Sequence, residues 1–87
     1  MEEKLIVYGT SWCGSSRRAR QLLDSHNIAY QWIDIDEDRV ARSRVEEINH
    51  GNRSVPTLIF PDGSILVEPS DKVLAEKLGV PPPKSLF

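Results

Sequence analysis

The chain's one cysteine lies in the stretch Ser11-Trp12-Cys13-Gly14-Ser15-Ser16, so any thiol chemistry must pass through Cys13. A thiol attacks as its thiolate, and a free cysteine, with a pKa of about 8.5, is mostly protonated at neutral pH. The residues that follow supply what such a nucleophile needs. From Gly14 onward Ala19, Leu22, Leu23 and His26 recur at helical spacing with Arg17, Arg18, Arg20 and Asp24 mostly between them, which predicts an amphipathic helix ending near Asn27. A helix start presents unpaired N–H groups and the positive end of the dipole. The amides of Gly14, Ser15 and Ser16, the Ser16 hydroxyl and the charges of Arg17 and Arg18 are therefore expected to favour the anion. Sites of this kind bring a cysteine pKa to between roughly 3.5 and 7.5. A free cysteine is often only a small buried hydrophobe, but Cys13 stands in a polar turn and off every apolar stripe.

Ser16 occupies the position where a second thiol would have to stand for Cys13 to close an internal disulfide. With one sulfur, the chemistry narrows to attack on a mixed disulfide followed by exchange with a second thiol from solution. Two origins of Ser16 are open here: a native hydroxyl, or a replacement for a resolving cysteine, in which case the parent chain is a dithiol enzyme with the same nucleophile. Other reactive side chains read more plainly. The acidic run Asp34 to Asp38 is expected to cap a helix and meet solvent rather than bind metal, and no metal site is expected. His26 and His50 fall near helix ends, with no ligand set around either. The arginines at 17, 18, 20, 39, 42 and 44 are expected on solvated helix faces.

The elements that would position Cys13 follow from the pattern. Lys4 to Tyr8 is a short apolar run ended by Gly9, as expected of a central strand buried on both faces. Ala29 to Ile35 alternates like a strand with two different faces. Asp36 is the expected N-cap of a second helix, with Val40, Ala41, Val45 and Ile48 as its apolar stripe and Asn49-His50-Gly51 as its end. Thr57 to Phe60 and Ile65 to Val67 then form a hairpin around Asp62-Gly63. Ser70 or Asp71 caps a last helix, with Val73, Leu74 and Leu78 inward and Gly79 at its end. The expected fold is α/β, strand-helix-strand-helix-strand-strand-helix, with a mixed four-stranded sheet. One domain spans residues 1–79, and a proline-rich tail spans 80–87.

At 87 residues the chain holds one small domain, and its net charge of −2 gives no reason to expect nucleic acid or an anionic membrane as partner. No apolar run approaches the roughly 20 residues of a membrane span. The acidic start lacks the basic end of a signal peptide, and a lone cysteine suits a reducing compartment, so a cytoplasmic monomer is expected.

This order of elements, with a cysteine at the first strand-to-helix turn and Val55-Pro56 before the third strand, resembles the glutaredoxins of the thioredoxin fold from about Lys4 to Gly79. The likeness is strongest to mycoredoxins and their glutaredoxin-like relatives, through YGTSWCG, NHGNRSVPT, DGS and EPSD in that order. The resemblance implies that Cys13 is the nucleophile, assisted by Ser16, and that Pro56 is cis beside it. Val55 would pair through its backbone with the thiol-bearing substrate. Arg53, Ser70 and Asp71 would line a groove for a low-molecular-weight thiol, Gly14 and Trp12 are expected among the thiol-binding residues, and Trp12 itself reads equally as an exposed lip for partner proteins or as a packed aromatic. Thr10 stands where many glutathione-using members carry a lysine. The implied activity is thiol–disulfide exchange by a monothiol route on protein mixed disulfides, with no bound cofactor and with glutathione or mycothiol as co-substrate. Two other readings come with the likeness: a [2Fe–2S] carrier like the CGFS glutaredoxins, since CGSS is superficially similar, and a redox-silent adaptor.

Overall fold

The computed structural model describes residues 4–82. Strand β1 (Leu5–Gly9) leads through a tight turn into helix α1 (Gly14–Ser25), followed by β2 (Tyr30–Asp34), α2 (Arg39–Ile48), β3 (Thr57–Ile59), β4 (Ile65–Val67) and α3 (Asp71–Leu78). The sheet order is β2-β1-β3-β4. β1 runs parallel to β2, with Val7 opposite Trp32, and antiparallel to β3, with Val7 opposite Leu58. The expected architecture is therefore the one observed.

Alternation along β1 splits the core in two. Leu5 and Val7 face a cluster with Ala19, Leu22 and Leu23 of α1, Leu58 of β3, and Leu74 and Ala75 of α3. Tyr8, with Ile6 beside it, joins Ile35, Ala41 and Val45 on the α2 side. The sheet is thus covered by α1 and α3 on one face and by α2 on the other.

Each helix ends in the same way. A backbone N–H reaches back five residues, Ile28 to Leu23, Gly51 to Glu46 and Val80 to Ala75, after a residue of positive φ at Asn27, His50 and Gly79. These are Schellman endings, and Ile28 and Val80 add the apolar contact that accompanies them. Val80 thus packs on the core as the first residue of the expected tail, whereas 83–87 lie outside the described residues.

Several local expectations need correction. The N-cap of α2 is Asp38, whose carboxylate accepts from the Ala41 amide at 2.9 Å, and not Asp36. Asp34 takes the preceding turn instead, its side chain accepting from the Asp36 amide and its carbonyl from Glu37 and Asp38. Val40 is 81% exposed and Val73 is 44% exposed, so neither belongs to its helix's inner stripe. The hairpin is not a two-residue turn at Asp62-Gly63. Gly63 N–H bonds to the Phe60 carbonyl and Phe60 N–H to the Ser64 carbonyl, leaving a three-residue loop, with Gly63 at φ +89. Among the described residues no helix is long and apolar enough to cross a membrane.

Candidate active site

Cys13 is the N-cap residue of α1, in extended conformation at φ −81 and ψ 123, and is partly buried. The Thr10–Cys13 turn, closed by Cys13 N–H to the Thr10 carbonyl, delivers the chain from the end of the central strand to the helix start. In its thiol form the side chain makes no cap bond to α1, and Sγ lies 3.9 Å from the Val55 carbonyl oxygen, toward which it can donate. The Val55–Pro56 peptide that follows is cis, as the resemblance implied.

Burial is the largest influence on the thiol's ionisation and opposes the anion. It is outweighed by hydrogen bonds to the thiolate from the Ser16 amide, the Ser16 hydroxyl and the Ser15 amide, so the pKa falls below the ordinary thiol value. The leading donors are thus Ser16 and Ser15, and Arg18 donates to Ser15 Oγ. The Glu68 carboxylate also acts on the sulfur and disfavours the thiolate.

Ser16 is fully buried. Its oxygen accepts from the Thr10 amide at 3.5 Å, which orients its proton toward Cys13. Gly9 makes the room for this, because a Cβ there would stand 2.7 Å from both Ser16 Oγ and the Trp32 ring. Thr10 itself is buried, 2% exposed, and its hydroxyl has no hydrogen-bond partner.

The other anticipated residues make no hydrogen bond to Cys13. Trp12 is 73% exposed and donates from Nε1 to Asp36 Oδ2 at 2.8 Å. Gly14 is exposed at the first position of α1, with Arg18 passing over it. Arg53 is paired to Glu46 at 2.9 Å. Ser70 caps α3 by accepting from the Val73 amide. Asp71 opens onto a cleft of about 300 Å³ between α1 and α3, lined also by Arg18, Gln21, Leu22, Ser25 and His26. Gly9, Trp32 and Glu68 escaped the sequence reading. Glu68 lay inside the EPSD motif, but only folding pairs its amide with the Pro56 carbonyl, at 2.8 Å, next to the Val55 carbonyl that faces the sulfur.

Comparison with known proteins agrees with this geometry. Residues 5–65 match the family model for glutaredoxin. A Mycobacterium tuberculosis protein named as a glutaredoxin is 45% identical over 74 residues, covering 85% of this chain and 88% of that protein. Mycoredoxin 1 of Corynebacterium glutamicum is 38% identical over 65 residues, covering 75% of this chain and 80% of its own. The crystal structure of a variant of the thioredoxin-like protein BC3987 matches with a TM-score of 0.78 at 25% identity, over 92% of this chain and 100% of the other. A thiolate-favouring cysteine at the first helix start, on a fold shared with these relatives, is what a thiol-redox role requires, and the chain belongs to the glutaredoxin family.

Proposed function

We propose that this chain is a thiol–disulfide oxidoreductase that removes a low-molecular-weight thiol from modified proteins by a monothiol route. The observation that carries the reading is the single thiol, Cys13, supported as thiolate by Ser15 and by Ser16, which stands where a dithiol enzyme would hold its second thiol. The thiolate attacks the small-thiol sulfur of a mixed disulfide. A new disulfide forms between Cys13 and the small thiol while the protein sulfur leaves with the electron pair and takes a proton from solvent. A second small thiol then attacks this adduct, releasing the small-thiol disulfide and restoring Cys13.

The Val55 carbonyl and the neighbouring backbone offer the strand-like edge against which the substrate's own backbone can pair. Arg53, Ser70, Asp71, Gly14 and Trp12 are proposed to border the small thiol, with Thr10 supporting the turn from beneath. The similarity to mycoredoxin 1 supports mycothiol beside glutathione as co-substrate. Such a thiol pool places the reaction in the cytoplasm, where the chain would act as a monomer.

Mass spectrometry after incubation with glutathione disulfide or mycothiol disulfide tests the reading. One adduct on Cys13, released by the matching reduced thiol, is the expected result. No adduct with either would leave the chain a redox-silent adaptor, and a coloured, iron-containing dimer formed anaerobically with glutathione would favour cluster carriage.

A further inference from the structure

Glu68 is joined by its backbone to the Val55–Pro56 step that faces Cys13, in a conformation that a residue with a side chain does not favour. It follows β4 with φ at +47, in the left-handed region that a residue with a side chain occupies at a cost. Its N–H bonds to the Pro56 carbonyl at 2.8 Å, and the residue before Pro56 is the one whose carbonyl lies 3.9 Å from Cys13 Sγ. One backbone hydrogen bond and the Val55–Pro56 peptide thus connect Glu68 to the carbonyl that faces the nucleophile. Its side chain is exposed, and among the described residues it forms no ion pair.

Three arginines of the neighbouring elements are committed elsewhere. Arg53, before β3, is held by Glu46 of α2; Arg18 of α1 donates to Ser15; Arg42 of α2 donates to the carbonyls of Ile35 and Asp36. Glu68 acts on the Cys13 sulfur against the thiolate. It thus sets a negative charge, held in no ion pair among the described residues, close enough to be felt by the reacting atom. A charge in that place also acts on whatever disulfide approaches.

We propose that Glu68 is a specificity-determining residue that selects the small-thiol half of the disulfide by charge, favouring cationic or neutral groups near the sulfur and disfavouring carboxylates. The small-thiol half is the one concerned because Glu68 lies two residues before Ser70-Asp71, the start of α3. The inference rests on Cys13 being the nucleophile. The step is the same exchange: the Cys13 thiolate bonds to one probe sulfur, and the other departs as a thiolate and is protonated by solvent.

The test uses three simple disulfides, cystamine (cationic), hydroxyethyl disulfide (neutral) and dithiodipropionate (anionic), with the wild-type chain and Glu68→Gln. Adduct formation on Cys13 is timed by quenched mass spectrometry, and the E68Q rate is divided by the wild-type rate for each probe. This division cancels the intrinsic reactivity of each probe, and any common change in thiolate fraction drops out when probes are compared. The expected result is a cystamine quotient about tenfold lower than that of dithiodipropionate at low salt, shrinking at high ionic strength. Equal quotients for all probes, or a difference that salt does not reduce, would overturn the role of Glu68 while leaving Cys13 as nucleophile. No adduct with any probe in either form would overturn the monothiol reading as well.

Discussion

Replacing Ser16 with alanine removes the hydroxyl that supports the Cys13 thiolate and leaves the Thr10 amide without its acceptor. The alkylation rate of Cys13 against pH should have its midpoint below the free-cysteine value of about 8.5 in the wild type, and a higher midpoint in Ser16→Ala. An unmoved midpoint would mean that the two backbone donors suffice. Gly9→Ala acts on the same device from the opposite side. The added Cβ meets Ser16 Oγ and the Trp32 ring at 2.7 Å, so overpacking should cost about 1–3 kcal/mol in chemical denaturation and raise the alkylation midpoint together. Cys13 was legible in the sequence because a thiol before a helical pattern is a local signal. Gly9 and Glu68 were not, because their importance arises from strand pairings that join residues far apart in the chain.

The caps and endings decide where each element stops. Ser70→Ala removes the acceptor for the Val73 amide and should lower stability by about 1 kcal/mol, measurable as a shift in the urea midpoint. If the small thiol does lie against the start of α3, the same variant should also weaken its binding. At the far end of that helix Lys77 donates to Asp62 at 2.8 Å, tying α3 to the hairpin loop, and Ser64 donates to the same carboxylate. These bonds hold the Asp62 carboxyl well below the usual carboxylate range. The Asp62 side chain is largely open to water, so salt should screen the tie. The sequence identified every element in order but erred at edges and faces. Val40 was read as core because a helical stripe of Ala41, Val45 and Ile48 tolerates an apolar neighbour, and burial of that stripe turns Val40 outward. Asp36 and Asp38 are equally good caps by residue type, and the choice between them depends on the turn that Asp34 organises.

Across the whole molecule the sheet is one layer shared by two cores, and Leu58 sits fully buried in β3 on the side of α1 and α3. Leu58→Ala should cost about 2–5 kcal/mol, a large share of the stability a domain of this size has. Circular dichroism melting should show a much lower Tm for this variant than for an exposed control such as Val40→Ala. The fold was legible because buried-strand runs and helical spacing are properties of the chain itself. Which charges surround the sulfur was not, since that depends on where Glu46, Ser15 and Pro56 stand after folding.

Trp12 adjoins the nucleophile and bonds to Asp36 at the surface, whereas the chain's other indole, Trp32, packs on the core beneath Arg20. The two should emit differently, the exposed one at longer wavelength. If a group attached to Cys13 reaches the neighbouring indole, its attachment and release should each change the long-wavelength emission, and Trp12→Phe should abolish that change. The protein thus carries its own optical reporter of whether its sulfur is free.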